Sequence, residues 1–499
     1  MGLVVLAVLL QLTLVILLSR LVRDGAVYIY ALVEILAVIE IFSLVSQSRS
    51  RDYTISWVLV IAFLPITGYI LYLLWGRSGP RGAHREALNE ATERSQEYLT
   101  WDENICQEFD AAYPQYSRIA EYLKRKDFPL YKNTKIDYFP LGELHFAAML
   151  EDIKKAKEFI FLEYFIIGDG EIWQKFEDAL IAKAKEGLEI KILFDDMGCL
   201  TTLRDSFITD MEAHGIRAVR FNPIHKYISR LYINYRNHQK IAVIDGQIGY
   251  TGGTNISDEY ANVFPKHGHW KDSAIRLEGD AVWGLTMTFL TMWDGQTREK
   301  SDFLNYKRSN GLDDPNLGFV QPFADGPLNN PDNPAEFMYR NIISRAQKYV
   351  YMSTPYLVID SAMLEALIGA AESGVDVRVI TPKVGDYWSV HGVTRSNYRE
   401  LLRAGAKVYE YTPGYIHAKT IISDDQHGIT GSINMDYRSF NLNFENGVWM
   451  CGTPVLATIK EDFLQTIAIS EEIDYQEYMN RPFYVKAMES FLRVFAVLF

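Results

Sequence analysis

Hydrophobic positions crowd into the first 76 residues and alternate with polar ones along the rest of the chain. Gly2 to Leu18 is apolar apart from Gln11 and Thr13. Ala26 to Val45 is a second apolar run, carrying Glu34 and Glu40, and Ile55 to Trp75 is a third, with Pro65 and Gly68 inside it. About 20 apolar residues cross the hydrocarbon core of a bilayer, so the first and third runs predict spans. Two carboxylates are costly in lipid, so the second run either spans or lies at the interface. The pattern predicts a membrane region over 1–76 with two or three hydrophobic helices, near 2–22, 26–46 and 54–75. The first run has neither the basic start nor the small-x-small site of a cleaved signal peptide.

Residues 77–129 read as a helical connector. Beyond them the pattern repeats itself. Glu158 to Tyr164 and Lys348 to Thr354 are strand-like apolar runs. Each is followed by helical spacing that stops at a glycine, Gly187 or Gly374, and then by a second strand, Glu189 to Asp195 or Val375 to Thr381. A further helix ends at Gly215 or Gly405, ahead of strands Arg217 to Phe221 and Lys407 to Tyr411. Strand–helix alternation predicts right-handed βαβ units. The expected fold is α/β, with two pseudo-symmetric halves over 130–325 and 326–480. Each half is expected to hold a mainly parallel sheet flanked by helices, behind N-terminal transmembrane helices. The Pro-, Asn- and Gly-rich stretch 313–334 is the linker.

Composition narrows the classes. The 499 residues are 48% apolar and 23% charged, too apolar for disorder. Net charge is -13, which argues against a nucleic-acid coat. Residues 1–85 carry about +3 and the remainder about -16. The arginines place Arg20 and Arg23 on one side of three spans with Arg77, Arg81 and Arg85, and positive-inside reasoning makes that side and the long C-terminal part cytoplasmic. Three separated cysteines, Cys106, Cys199 and Cys451, indicate neither a disulfide framework nor a zinc knuckle.

The chemistry falls at matching places in the two halves. His238 and Lys240 are two apart, Asp245 follows after four residues, and Gly252-Gly253-Thr254-Asn255 comes six residues later. His417, Lys419, Asp424 and Gly431-Ser432-Ile433-Asn434 repeat that spacing without a change. Residues two apart on a strand share one face, so each half offers an imidazole and an ammonium side by side, with an amide at the next turn. Two imidazoles, two lysines and two asparagines suit phosphoryl transfer. One imidazole attacks phosphorus, the other protonates the leaving alkoxide, and the cations and amides hold the phosphate oxygens. No metal and no cofactor are called for.

This duplicated pattern resembles the phospholipase D superfamily, and within it the bacterial cardiolipin synthases. Further matching stretches are Gly252 to Tyr260, His269-Trp-Lys-Asp272 and Asn434 to Phe440. The resemblance implies two phospholipase D-like halves and transfer of a phosphatidyl group between two phosphatidylglycerol molecules, giving cardiolipin and glycerol. It implies a phosphatidyl-histidine intermediate, with His238 as nucleophile and His417 as general acid and then base, although the pair is pseudo-symmetric and the order can be reversed. It also implies Asn255 and Asn434 as phosphate-binding residues, Asp245 and Asp424 as structural partners within the catalytic motifs, and Asp272 and Glu445 as carboxylates that orient the histidines. Partners are anionic membrane lipid and no nucleic acid; the place is the plasma membrane, multi-pass. Hydrolysis instead of transfer differs only in which hydroxyl reaches the intermediate.

Two stretches remain. Between Glu212 and Asp245 there is no acidic residue, and Pro223 to Arg236 lengthens the first half relative to the second. With Lys226, Arg230 and Arg236 beside Ile224, Tyr227, Ile228 and Leu231, it reads either as a solvated loop or as a basic amphipathic lip that gathers anionic lipid. Residues 481–499 read as an apolar helix, either packed as core or lying on the membrane.

Overall fold

The structure is a computed structural model. It describes Leu10, Gln11, Thr13, Ile16 and residues 26–46, 51–76, 83–223, 234–309, 312, 314–328 and 333–496. The strands of the first half are β1 (Thr134–Phe139), β2 (Phe159–Tyr164), β3 (Glu189–Asp195), β4 (Arg217–Phe221), β5 (Ile241–Ile244), β6 (Ile248–Gly252), β7 (His269–Lys271) and β8 (Ala274–Gly279). Those that follow are β9 (Phe319–Asp325), β10 (Tyr349–Ser353), β11 (Leu357–Val358), β12 (Asp376–Pro382), β13 (Lys407–Tyr411), β14 (Gly414–Ile416), β15 (Thr420–Ser423), β16 (His427–Gly431), β17 (Met435–Asp436), β18 (Glu445–Cys451) and β19 (Ser470–Glu472).

The duplication is visible strand for strand. One sheet runs β1-β8-β6-β5-β2-β3-β4, and the other runs β9-β18-β16-β15-β10-β12-β13 with β19 added at its edge. The helices stop where the glycines predict. Glu171–Lys185 and Ser361–Glu372 are followed by Gly187 and Gly374 at φ 93° and 91°, a conformation that side chains with a Cβ rarely take.

The sheets are mixed, which corrects the expectation of mainly parallel ones. Within the two large sheets, among the described residues, only β2-β3-β4 and β10-β12-β13 run parallel; the strands on the other side of β2 and β10 join antiparallel. The reason is local. Asp245 and Gly246 both have positive φ (52° and 63°), as have Asp424 and Asp425 (58° and 59°). Two consecutive positive-φ residues make a hairpin turn, for which Asp-Gly is a strong signal. The strand after each histidine motif therefore doubles straight back.

A second correction concerns the boundary between the halves. β9 pairs with β18, from Phe319 opposite Cys451 to Asp325 opposite Glu445. It holds the place in the second sheet that β1 holds in the first, so the second sheet starts at Phe319, ahead of the expected division after 325.

The two sheets share a core. Helix Val282–Thr297 is buried nearly throughout, and Leu285, Phe289 and Trp293 pack in one cluster with Phe161 and Val243 of the first sheet and Val448 and Met450 of the second. Burying a side chain of this size is worth about 1.5–3 kcal/mol relative to leaving it exposed, so docking the halves is part of folding each of them. The connector is helical over Ala83–Gln96, Glu103–Ala112 and Ser117–Lys124.

Toward the N-terminus, one helix among the described residues is long and apolar enough to cross a membrane, within Ala26–Ser46. That is the run whose two carboxylates made it doubtful. The third run is not one continuous helix. Arg51–Phe63 and Pro65–Leu71 meet at a bend at Leu64, because Pro65 has no N–H to continue the ladder. Most of the first run lies outside the described residues. These helices dock on the second half: Tyr53 stacks on Tyr437 with ring centroids 5.5 Å apart, and Ser361 donates its N–H to Asp52.

Candidate active site

Both motif strands end in the hairpin just described, and its aspartates hold it in place. Asp245 accepts from the backbone N–H groups of Lys157, Glu158 and Phe159 at 2.7–2.9 Å. Asp424 accepts from those of Gln347, Lys348 and Tyr349 at 2.8–2.9 Å. Each carboxylate caps the start of the neighbouring strand, at the opposite end of its motif from the histidine. Neither reaches the imidazoles, which removes both from the proton-transfer set and leaves them their structural place.

At the other end, the halves cross. His238 donates from Nδ1 to Glu445 of the second half, at 2.8 Å to Oε1 and 2.9 Å to Oε2. His417 has its Nδ1 2.7 Å from Oδ2 of Asp272, in the first half. The backbone follows the same exchange: His238 N–H donates to Phe444 O at 2.9 Å and His417 N–H to Lys271 O at 2.7 Å. Each acceptor immediately precedes the carboxylate residue. β7 and β14 pair in parallel across the halves and fix the second of these contacts. Asp272 and Glu445 are fully buried, and both histidines are more than nine-tenths buried.

The lysines fold toward the same centre. Lys240 Nζ donates to His238 O at 2.6 Å, and Lys419 Nζ donates to His417 O and lies 2.9 Å from His417 Nδ1. Burial pushes Lys240 down to about 7 and Lys419 down to about 8, against the pull of Asp272 and Glu445. His238 is lowered to about 4 by burial first and then by the lysines, and His417 is lowered well below its usual value for the same reasons. Neutral imidazoles with Nδ1 occupied present Nε2 to the site. Burial raises Asp272 to about 6.

An arriving anion reverses the pressure on the lysines. Their folded values lie below the usual one, so both are charged below about pH 7 and both are neutral well above pH 8. Binding a phosphodiester between them raises both and takes up protons. kcat/KM should therefore fall as pH rises from about 7 to about 9, and calorimetry near pH 8 in buffers of different ionisation enthalpy should show proton uptake. A kcat/KM that is flat across that range would contradict this electrostatic reading.

The asparagines are placed unequally. Asn255 is committed within its half: its Oδ1 accepts from Ile166 N–H and its Nδ2 donates to the Tyr260 hydroxyl at 2.7 Å. Asn434 Oδ1 is buried and has no protein partner among the described residues. Several residues escaped the sequence reading. Ser432, Ser439 and Asn443 all donate to Glu445, and the edges of Phe165 and Tyr260 abut His238 and His417 at centroid distances of 5.1 and 5.4 Å. The motif alignment held one usable signal. Ser432 stands where the first half has Gly253, and a Cβ at Gly253 would come 2.1 Å from Asp272 Oδ1. One half fills this position with a hydroxyl, and the other must leave it empty.

Of the basic stretch before His238, residues 224–233, with Lys226 and Arg230, lie outside the described residues. Arg236 is buried, donating to Asp195 at 3.3 Å and to Asn222 O, and Arg217 pairs with Glu299. Arg236 thus ties down the approach to the motif and is not a surface cation, which corrects the expected lip at that residue. Asp195, the partner of Arg236, is 41 positions away in the chain.

Among known proteins, the family described as "Cardiolipin synthase, PLD-like domain" matches residues 149–263 and 339–467, and "Phospholipase_D-nuclease N-terminal" matches 26–77. A cardiolipin synthase of Halalkalibacterium halodurans is 35% identical over 91% of this chain and 90% of its own length. The major cardiolipin synthase of Bacillus subtilis is 34% identical over 92% of this chain and 96% of its own. The crystal structure of a phosphatidylserine synthase of Haemophilus influenzae shares the fold, with a TM-score of 0.56 at 16% identity, over 73% of this chain and 93% of that one.

Proposed function

The chain belongs to the cardiolipin synthases of the phospholipase D superfamily, and on that premise we propose that it is a phosphatidyltransferase joining two phosphatidylglycerol molecules through a phosphatidyl-histidine. His238 Nε2 attacks the phosphorus of the first lipid. The bond from phosphorus to the headgroup glycerol breaks, and His417 gives its Nε2 proton to the departing alkoxide. The headgroup hydroxyl of a second phosphatidylglycerol then returns a proton to His417 and attacks phosphorus, releasing His238. Two phosphatidylglycerols become one cardiolipin and one glycerol, with no net proton change.

The observation that carries this reading is the crossed pair of carboxylates. A nucleophilic imidazole needs Nδ1 fixed by an acceptor so that Nε2 keeps its lone pair, and becoming positively charged on attack requires a nearby negative charge. Glu445 supplies both to His238. His417 differs in having Lys419 Nζ as well as Asp272 at its Nδ1. As a general acid the His417 ring carries protons on both nitrogens, Nδ1–H donating to Asp272 and Nε2–H to the leaving oxygen, and the charge of the bound phosphodiester favours that cationic form. Lys240 and Lys419 are the groups we assign to the phosphate oxygens; Asn434 can join them only through its Nδ2, since its free Oδ1 is an acceptor, and Asn255 holds Tyr260 beside them.

The membrane topology belongs to the same proposal. We place the region 1–76 in the plasma membrane as a multi-pass unit, with the connector, both halves and the C-terminal helix on the cytoplasmic side. The arginine distribution supports that side, and the Tyr53–Tyr437 stack supports a site held near the bilayer, because Tyr437 is three residues beyond Asn434.

Purified full-length protein in vesicles of phosphatidylglycerol alone should release glycerol and cardiolipin in equal amounts. Phosphatidic acid as the main product would mean that water, not lipid, resolves the intermediate.

A further inference from the structure

The helix Phe483–Val494 is oriented opposite to the usual surface helix. Its inward positions include Glu489, whose carboxylate pairs with Arg481, and Leu492. Apart from Ser490, its outward positions are apolar, among them Phe483, Tyr484, Met488, Phe491 and Val494, with Phe483 81% and Tyr484 64% exposed. The spacing 484, 488, 491 is one helical face. A soluble helix places charge there.

The helix is firmly attached on its other side. Leu492 packs with Val358 and Val393, and a Cβ at Gly392 would lie 2.8 Å from Leu492 Cδ1, so the glycine is what lets the helix Trp388–Ser396 approach this closely. That neighbouring helix brings further exposed rings, Tyr387 and Trp388, to its own N-terminus. The far end of Phe483–Val494 meets the membrane region, where Ser56 Oγ donates to Val494 O at 2.6 Å. In the helix Arg51–Phe63, Ile55 and Phe63 are exposed in turn. The helix thus abuts the helices that follow the membrane span, which carry exposed apolar residues of their own. It also stands one strand from the chemistry: Val358 lies in β11, which pairs with β17, and β17 follows Asn434 directly.

We propose that Phe483–Val494 lies in the headgroup region of the bilayer, apolar face down, with Trp388, Tyr387 and Tyr484 at the interface, and that it sets the depth of the catalytic mouth so that lipid headgroups arrive without leaving the membrane. Aromatic rings with one polar end favour that layer, and a one-sided apolar helix lies in its plane. The inference rests on the cardiolipin synthase reading for its substrate but not for its geometry.

The test uses the full chain in phosphatidylglycerol vesicles. A Phe491→Cys variant, with Cys106→Ala to remove the half-exposed native thiol (Cys199 and Cys451 are buried), carries an environment-sensitive fluorophore. Its emission should shift to the blue on reconstitution and be quenched by lipids bearing a nitroxide near the headgroup. The triple variant Phe483→Glu, Met488→Glu, Phe491→Glu leaves the packed face untouched. It should lose about tenfold in rate on vesicles while matching wild type on detergent-dispersed lipid. Phe491→Trp should keep the wild-type rate. Quenching by aqueous iodide alone, or a blue shift that lipid nitroxides do not quench, would overturn the proposal, the latter by showing that protein covers the face. Equal vesicle rates for wild type and the triple variant would overturn it as well. Wild-type cardiolipin formation in the same vesicles reports on the reaction itself, so failure of the reaction and failure of the helix's role are separate outcomes.

Discussion

Replacing His238 by alanine should reduce cardiolipin formation by about 10⁴-fold or more while leaving a folded, membrane-bound protein. The imidazole is buried but carries no core packing of its own; its ring meets the edge of Phe165 and its Nδ1 meets Glu445. His417→Ala should be as severe, because the glycerol alkoxide cannot leave unprotonated and the acceptor hydroxyl has no base. The two variants act as one unit, so the double variant should be no worse than either. The measurement that separates them from a folding defect is covalent. Wild type quenched in base after brief reaction with phosphate-labelled lipid should hold acid-labile label on the peptide containing His238, and both variants should hold none. Cardiolipin production within tenfold of wild type by either variant would end the mechanism, and label on serine or aspartate would replace it.

The second large effect belongs to a residue 207 positions from the histidine it serves. Glu445→Gln should reduce turnover by about 10³-fold without unfolding the protein, by analogy with removal of the carboxylate from a catalytic triad. Glu445 receives only donors: the His238 ring, the Ser432 and Ser439 hydroxyls and the Asn443 amide. A glutamine must turn its own N–H₂ toward one of them. It also removes the negative charge that balances the developing imidazolium. Turning an N–H₂ toward one of those donors costs some stability, so a collapsed kcat in a protein that is still fully folded at the assay temperature marks the positioning role. A Tm that falls in step with activity would instead mean that Glu445 only props up the β18 strand.

The sequence carried the duplication because duplication is local information repeated. Strands Glu189–Asp195, Arg217–Phe221, Ile241–Ile244 and Lys407–Tyr411 stand where the apolar runs predict, and the glycine stops at 187, 215, 374 and 405 all have positive φ. The direction of the strands after the motifs was legible too, in Asp245-Gly246, but alternation of strand and helix elsewhere outweighed it. The resemblance implies Asp272 and Glu445 as orienting carboxylates. That they serve the opposite half was not legible, since hydrogen bonds across 145 and 207 positions leave no periodicity. The same limit hid Asp195, which turns Arg236 from a surface cation into a buried ion pair. At the N-terminus, hydropathy alone counted the third run as a full span; the bend at Pro65 is steric and needs the backbone to appear.

The crossing has a consequence for the order of events in a growing chain. When His238 leaves the ribosome, the residue that fixes its tautomer has yet to be made. At roughly 5–20 residues per second, the intervening 207 positions take about 10–40 s. Because the halves share one core, the first half cannot complete its fold in that interval, and its imidazole stays unaligned, beside a lysine with no facing partner. On the proposed mechanism, a nascent or clipped first half has no aligned nucleophile, and competence requires that the last strands of the second half dock. Synthesis itself keeps an enzyme that cuts and rejoins phosphodiesters inactive until the whole fold is present to control which bond it breaks.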